Sequence, residues 1–405
     1  MVLVGLLFFV FGFVTWLNGP LIAFAQIAFE LGEVGAFLVP MAFYLSYFFF
    51  SLPSSWLLSR IGMKQGMFAG LMAMAVGTWA FAELAALRFY PGALTSLFVI
   101  GAGLSLLQTA VNPYVSILGP HETAARRIAI MGICNKLGGI LAPLLLGALV
   151  LRGMDDLMLR LREADASSKA ELLRTFAGTI RTPYRTMAGF LALLAVATRY
   201  SPLPDTRPEH TDGAPRARGL LQHPQVLLGA FCIFVYVGVE VMAGDAIGTY
   251  GKSFDLPLDQ TKFFTSFTLA AMLLGYVVGL VAIPRFVSQQ RYLAFSALLG
   301  VALSIGAFCT HGVTSVTCVA ALGFANAMMW PAIFPLAIRG LGPLTEAGSA
   351  LLVMGIVGGA VIPQLFAIGK QHFDFQWVFV LLMVPCYLYV LYFARRPEST
   401  SAGAP

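Results

Sequence analysis

The fold is decided by the stretch QTAVNPYVSILGPHETAARRIAIMGICNKLGG, residues 108–139, in which one apolar segment ends, a short polar loop follows and a second apolar segment begins. Four polar residues interrupt the apolar surroundings: Gln108, Asn112, Asn135 and Lys136. Such side chains are costly in hydrocarbon unless they face a cavity or another helix. Prolines and glycines in the stretch interrupt the helices, which is tolerated where protein encloses the backbone. The stretch therefore predicts two membrane helices beside a buried polar site.

The whole chain has the composition of a membrane protein. Of its 405 residues, 59% are hydrophobic and 11% are charged, and the mean hydropathy is +0.83. These values exclude an ordinary soluble domain. The net charge of +6 indicates basic cytoplasmic loops and not nucleic-acid binding, because no basic run with interleaved aromatic residues occurs. The five cysteines lie in apolar runs without a CxxC pair, which indicates packing roles.

Twelve apolar segments, numbered here as spans 1 to 12, are long enough to cross a bilayer core of about 30 Å. Their predicted limits are 2–29, 34–58, 66–87, 91–117, 126–150, 183–200, 224–250, 262–283, 290–311, 313–337, 346–369 and 373–394. A Pro-rich polar break divides them six and six. We therefore predict an all-α membrane protein with twelve transmembrane helices in two pseudo-symmetric six-helix bundles. The predicted parts are an N-terminal bundle (1–200), a cytoplasmic linker (201–222), a C-terminal bundle (223–395) and a disordered tail (396–405).

Basic residues predict the orientation of the chain in the membrane. Lys and Arg concentrate in the short loops on the side of the termini, which places that side in the cytoplasm. We expect a monomeric, multi-pass protein of a bacterial-type inner membrane with both termini cytoplasmic. The segment 151–182 is an exception, since it carries basic residues on the outer side. Its mixed charge and helical period predict one outer amphipathic helix.

The two halves of the chain repeat in sequence. Leu-Gly-Pro at 118–120 and Met-Gly-Ile at 131–133 recur at 341–343 and 354–356, an offset of 223 residues. The same offset relates two pairs of phenylalanines: Phe8 and Phe11 to Phe231 and Phe234. Because both copies run in the same direction, the sequence predicts parallel repeats of six spans.

Motifs in both halves carry a resemblance to a known family. They are Leu-Asn-Gly-Pro-Leu-Ile at 17–22, Ala-Phe-Tyr-Leu-Ser-Tyr at 42–47, the basic loop at 60–66, Gln-Thr-Ala-Val-Asn-Pro-Tyr at 108–114 and Tyr-Val-Gly-Val-Glu at 236–240. Together they resemble the fucose:proton symporter family of the major facilitator superfamily, which includes permeases for fucose, glucose/galactose and N-acetylglucosamine. The resemblance implies a sugar permease whose spans 1, 4, 7 and 10 form a central cavity.

Two positions depart from the fucose permease of that family. It has an acid after the Asn of the first span, where Gly19 stands here, and another before Thr-Ala in the fourth span, where Gln108 stands. Three asparagines match the family pattern: Asn18, Asn112 and Asn135. Lys136 resembles a feature of a branch associated with uptake of hexose or N-acetylglucosamine. The resemblance thus implies sugar transport but leaves the coupling carboxylate open.

Polar residues in the spans predict a sugar site. Amide side chains both donate and accept hydrogen bonds, which suits sugar hydroxyls. Trp330 follows Asn326 by four residues, on the same face of a continuous helix, and offers a ring for stacking on a pyranose. The predicted substrate-binding residues are Asn18, Gln108, Asn112, Asn135, Lys136, Glu240, Asn326 and Trp330. The alternative is that the amides hydrogen-bond from helix to helix.

Two acids in span 7 and one buried base are the candidates for cation coupling: Glu240, Asp245 and Lys136. A buried carboxylate can load and release a proton near neutral pH. Together with amide and carbonyl oxygens it also suits Na⁺, so a Na⁺ site near Glu240 or Asp245 stays open, and no other metal or cofactor is expected. The alternatives are a fixed ion pair between Lys136 and Glu240, and an outer-loop position for Asp245.

These observations predict a secondary active transporter that imports a hexose or amino-hexose by cation symport through alternating access, with H⁺ favoured over Na⁺. The expected partners are a small sugar and the lipid bilayer, without nucleic acid. The alternatives are a sugar uniporter and a proton-coupled drug or metabolite exporter of the same fold. A membrane enzyme would need a nucleophile–base pair or a metal cluster, whereas the histidines are scattered and mostly in loops.

Overall fold

The regular secondary structure of the described residues is entirely helical. The structure, a computed structural model, describes residues 2–117, 124–203, 223–283, 285–341 and 344–396, and their side chains except those of 112–129 and 346–347. Several predictions lie wholly or largely outside the described residues: the linker at 201–222, the tail at 396–405, and the Leu-Gly-Pro motifs at 118–120 and 341–343. The side chain of Asn112 also lies outside them. These stay predictions.

In the described residues of the N-terminal half the chain forms ten helices. They are α1 (Val2–Thr15), α2 (Asn18–Ala28), α3 (Glu33–Ala36), α4 (Leu38–Ile61), α5 (Met63–Ala86), α6 (Tyr90–Ile117), α7 (Ala124–Leu149), α8 (Met154–Glu163), α9 (Ala166–Gly178) and α10 (Arg181–Tyr200). Span 1 consists of α1 and α2, and span 2 of α3 and α4. Helices α5, α6, α7 and α10 are spans 3 to 6.

The described residues of the C-terminal half form ten further α-helices and one 3₁₀ turn. They are α11 (Pro224–Gly244), α12 (Ile247–Lys252), α13 (Leu258–Thr261), α14 (Phe264–Ala282), α15 (Gln289–Cys309), α16 (Gly312–Asn326), α17 (Met329–Ile338), α18 (Thr345–Met354), the 3₁₀ turn Gly355–Val357, α19 (Gly358–Gly369) and α20 (Phe375–Ala394). Span 7 consists of α11 and α12, span 8 of α13 and α14, and span 10 of α16 and α17. Helix α15 is span 9, α18 to α19 form span 11, and α20 is span 12.

Eleven of these spans are long and apolar enough to cross a membrane, counted over the described residues. The twelfth predicted span is α10, which has 20 residues and packs along α5. It is less apolar because it carries arginines near both ends, among them Arg181 and Arg199. Arginines at helix ends reach the polar interface with their long side chains, so they are compatible with a crossing helix.

Corresponding helices of the two halves pack on corresponding partners. Helix α1 packs on α7, α4 on α6 and α5 on α10, and in the second half α11 packs on α19, α14 on α16 and α15 on α20. The close crossing of spans 1 and 5 puts the carbonyl oxygen of Asn135 against Gly12, and that of spans 7 and 11 puts Gly358 against the carbonyl of Phe234. Asn135 and Gly358 are related by the offset of 223 residues, so the sequence repeat is also a repeat of packing.

Several spans are interrupted within their length. Span 1 breaks at Trp16 and Leu17, span 7 at Asp245 and Ala246, and span 10 at Ala327 and Met328. In span 1 the amide of Asn18 donates a 3.0 Å hydrogen bond to the carbonyl of Thr15. This bond satisfies a backbone oxygen beside the break. The break in span 10 makes one expectation wrong, because Asn326 and Trp330 do not lie on one continuous helix.

The outer segment 151–182 is also different from the prediction of one amphipathic helix, since it forms the two helices α8 and α9. Ala164 and Asp165 adopt extended backbone between them, and the Asp165 carboxylate accepts a hydrogen bond from the backbone N–H of Ser168. An aspartate in this position is a favourable N-cap that begins a new helix. The hydrogen-bonding hydroxyls of Ser168 and Ser167, with that N–H, lower the pKa of Asp165.

The two halves are joined at the end of the bundle opposite the termini, called here the far end. Polar contacts across it pair Lys370 with Glu33, Lys252 with Gln26, Lys262 with the carbonyl of Leu151, Gln364 with the carbonyl of Val34, and Asp155 with the N–H of Leu258. Each contact joins a residue of the first half to one of the second. The far end is therefore closed in this structure.

Candidate functional site

An ion pair between the two halves lies at the centre of the candidate site. Lys136 Nζ on α7 is 3.3 Å from Glu240 Oε1 on α11, and the two side chains are only 8% and 13% exposed. Two charges this far from water are stable only when they are paired and hydrogen-bonded. The ion pair between Lys136 and Glu240, which the sequence analysis gave as an alternative, is therefore present. It links span 5 of one half to span 7 of the other.

Aromatic rings enclose this pair. Lys136 Nζ lies 5.3 Å from the ring centroid of Trp16 and 5.7 Å from that of Tyr276, within the range of a cation–π interaction. Trp16 occupies the break in span 1, where two glycines make room for its indole. A Cβ on Gly139 would lie 2.6 Å from the indole Cδ1, and a Cβ on Gly244 would overlap the six-membered ring. One glycine belongs to each half, so Trp16 is held between the halves.

Trp16 and Tyr276 are site residues that the sequence reasoning missed, and so are two tyrosines near the Glu240 carboxylate, Tyr236 and Tyr387. A signal existed for two of them. Trp16 directly precedes the Leu-Asn-Gly-Pro motif, and Tyr236 opens the motif that ends at Glu240. The other two lie in spans 8 and 12, outside the motifs. Only the packing of those spans brings them to the site.

Asn326 contributes an unsatisfied donor to this region. Its side chain is fully buried, and its Oδ1 accepts a 2.9 Å hydrogen bond from the Tyr387 hydroxyl. Its Nδ2 has no hydrogen-bond partner among the described residues. A buried N–H without a partner is costly, so this position suits a ligand hydroxyl or an ordered water.

A second polar cluster lies beside the first. Gln108 Nε2 donates a 3.1 Å hydrogen bond to the Tyr47 hydroxyl, and the Tyr44 hydroxyl one turn earlier donates a 3.4 Å bond to Asp245 Oδ2. Asn18 lies next to Tyr44. Asp245 is 1% exposed, so the alternative of an outer-loop position is wrong for it. The acid is buried between the halves.

Two of the predicted binding residues are not joined to these clusters. Asn135 is half-buried, and its side chain makes no hydrogen bond with another described residue, while its backbone carbonyl faces Gly12. The Trp330 ring stacks on Phe334 with 5.6 Å between ring centroids. The described residues contain no group of three or more His, Cys, Asp or Glu side chains arranged to hold a metal ion. The arrangement is that of a polar, aromatic binding site between two bundles.

Comparisons with known proteins agree with this fold. A glucose/galactose transporter of Brucella abortus biovar 1 (strain 9-941) is 34% identical over 397 residues, 96% of this chain and 91% of that protein. An L-fucose-proton symporter of Escherichia coli (strain K12) is 27% identical over 414 residues, covering 98% and 92%. The solved structure of a Major Facilitator Superfamily transporter, FucP, in the outward conformation has a TM-score of 0.77 at 25% identity and covers 97% of both chains.

These likenesses confirm the predicted all-α fold of two six-helix bundles and the resemblance found in the sequence motifs. Residues 4–363 match the family model of the Major Facilitator Superfamily. With that match over most of its length, the chain belongs to the Major Facilitator Superfamily.

Proposed function

We propose that the chain is a sugar transporter that imports a hexose or amino-hexose by cation symport, with H⁺ as the first and Na⁺ as the second candidate ion. The names of its relatives support sugar transport: glucose/galactose transporter and L-fucose-proton symporter. The same relatives and the fold confirm that the chain is a transporter and not an enzyme. Sugar identity and coupling ion are parts of the proposal.

The observation that carries the proposal is the polar, aromatic site between the halves. The Glu240 carboxylate and the Lys136 ammonium offer an acceptor and donors for hydroxyl groups. The buried Nδ2 of Asn326 offers a donor that has no partner among the described residues. Trp16 and Tyr276 present flat rings next to the charges, the surface that suits the C–H face of a pyranose. A small polyhydroxy compound matches this combination better than an apolar drug.

Alternating access is supported by where the halves touch. The far end is closed by contacts such as Lys370–Glu33 and Lys262 with the Leu151 carbonyl. Transport through a central site requires that these contacts part, so that the two bundles rock about the site. The breaks in spans 1, 7 and 10 support this motion, because a helix without continuous backbone hydrogen bonds bends at lower cost.

Cation symport is supported by the two acids of span 7. A transporter that accumulates sugar against its gradient needs a group whose state changes with the ion, and a carboxylate serves for either H⁺ or Na⁺. Glu240 and Asp245 lie five residues apart between the halves. Movement of the halves would change the surroundings of both. A uniporter of the same fold would equilibrate sugar without using an ion gradient, which separates the two functions experimentally.

The test is uptake by the purified chain in proteoliposomes. Labelled glucose, galactose, N-acetylglucosamine and fucose are supplied with an imposed pH gradient, with an imposed Na⁺ gradient, or with neither. We expect accumulation of at least one hexose above equilibrium under one of the gradients. Glu240→Gln should weaken sugar binding, whereas Glu163→Gln, an exposed acid on α8, is the matched control and should not. Equilibration without accumulation would favour the uniporter, and no uptake of any sugar would reject the proposal.

A further inference from the structure

Asp245 is a buried acid that the proposed sugar site does not use. It lies at the break between α11 and α12 and is 1% exposed. Its Oδ2 accepts one long hydrogen bond from Tyr44, and its Oδ1 receives no hydrogen bond of normal geometry from the described residues. No described Lys, Arg or His forms a salt bridge with it. Among the described residues, this carboxyl group therefore lacks the positively charged partner that a buried negative charge needs.

The described neighbours of Asp245 come from several elements, and none of them offers it a positive charge. Tyr44 faces it from α4, and Glu240 is the other acid on its own span. From α2 the backbone of Gly19 approaches so closely that a Cβ there would lie 3.2 Å from Asp245 Oδ1. From α14 Thr265 lies beside Gly19, but its hydroxyl donates to the Gly244 carbonyl at 2.8 Å. The carboxyl group is enclosed by both halves of the protein.

A small cavity reaches these neighbours from the far end. It has a volume of about 20 Å³ and is lined by Gly19 and Thr265 at its inner side. Lys252 and Lys262 also line it, and both take part in the contacts that close the far end. A cavity of this volume holds about one water molecule. The cavity lies where water would enter first if the halves parted at that end.

The two acids of span 7 differ in one decisive respect. Glu240 has the Lys136 ammonium 3.3 Å away, which stabilises its negative charge in the closed arrangement. Asp245 has no such partner in the described part of the chain and is more deeply buried. If one of these groups changes its protonation state when the far end opens and closes, it is the one whose charge is uncompensated in the closed state. The geometry singles out Asp245.

We propose that Asp245 carries the coupling proton, which it takes up from water at the far end before the halves close over it. The inference rests on the proposed symport. On loading, an O–H bond forms at the carboxylate with a proton from bulk water, and on unloading the same bond breaks and the proton returns to water, so no other reactant is needed. The neutral acid is compatible with the closed far end. The ionised acid favours its reopening, which returns the empty carrier to its starting state.

The test compares accumulation with exchange in proteoliposomes. Sugar counterflow exchanges labelled for unlabelled sugar and needs no net movement of protons, whereas accumulation driven by a pH gradient does. Asp245→Asn should abolish accumulation and the alkalinisation of the medium that follows sugar addition, yet keep counterflow within about twofold of the parent protein. Asp255→Asn is the matched control, because Asp255 is exposed near the same end of span 7 and has a positive φ that Asn also adopts. It should keep all three activities.

The outcomes separate this inference from the proposed function. Failure of the unsubstituted protein to take up any sugar would reject the function itself. Normal uptake with proton-driven accumulation retained in Asp245→Asn would overturn the role of Asp245 alone, as would the loss of counterflow in a variant that stays monodisperse. If sugar accumulation follows a Na⁺ gradient and not a pH gradient, H⁺ is not the coupling ion and the proposed role of Asp245 is wrong. Asp245→Ser, a smaller neutral replacement, repeats the comparison if the Asn variant does not fold.

Discussion

The ion pair between Lys136 and Glu240 predicts a measurable energetic coupling between the two halves. Their charged atoms are 3.3 Å apart, and the side chains are 8% and 13% exposed. Removing one partner of a buried pair costs about 3–5 kcal/mol, because the other charge stays buried without compensation. The pair joins two bundles and not two helices of one bundle. The cost therefore falls mainly on the closed arrangement of the halves.

The expected size of the effect depends on which partner is removed. In Glu240→Gln the remaining ammonium keeps its contacts with the rings of Trp16 and Tyr276. Such contacts are worth about 0.5–2 kcal/mol, so the net loss should be about 1–4.5 kcal/mol. At about 1.4 kcal/mol per factor of ten, the closed state loses roughly 5- to 1,600-fold in population. Lys136→Met leaves a carboxylate without a cation and should have the larger effect.

The assay measures the distance between the halves at the far end. Spin labels are placed at Leu87 and Phe373, which are 65% and 71% exposed and belong to different halves. For this measurement the native cysteines are replaced, and cysteine is introduced only at the two label sites. The parent protein should give mainly the short distance of the closed end, each single variant should gain a longer distance, and the variant with both substitutions should recover the short one. Glu30→Gln is the control, because Glu30 pairs with Lys169 and Arg88 within one half.

Two results would show that Lys136 and Glu240 are not energetically coupled across the halves. One is that neither single variant changes the distances, and the other is that the double variant is as open as the more open single variant.

Two further predictions concern packing and the far end. Gly12→Ala places a methyl group on the Asn135 carbonyl oxygen, so it should abolish or strongly reduce folded protein in thermal denaturation and gel filtration. Gly189→Ala, where an added Cβ would meet no described atom from another part of the chain within 4 Å, should be neutral, and equal stability of the two variants would contradict the packing argument. Lys370→Gln breaks the 2.8 Å pair with Glu33 and should lengthen the same spin-label distance in a minor fraction, since a partly exposed pair is worth about 1 kcal/mol or less. A fully open far end in that variant would show that this one pair holds the halves together.

The sequence alone determined the architecture of this protein, because each crossing helix must be long and apolar whatever it packs against. The number of spans, the division into halves and the parallel repeat all followed from segment length and from motifs 223 residues apart. It also indicated most of the polar residues of the site, since Gln108, Lys136 and Asn326 stand in segments where a polar group is expensive. Because these side chains are amides and an ammonium group, the sequence also indicated that the site binds polar groups.

Which of these residues meet is known only from the packing of the folded helices. The partner of Lys136 is an acid more than a hundred residues away, and the burial of Asp245 depends on a helix break and on the close approach of Gly19. The place of Trp16 depends on glycines from both halves, and Asp165 divides the outer segment into two helices. Hydrophobic patterning specifies which residues leave water, but it carries no information on contacts between distant helices. Those contacts arise from close packing and from the pairing of buried charges.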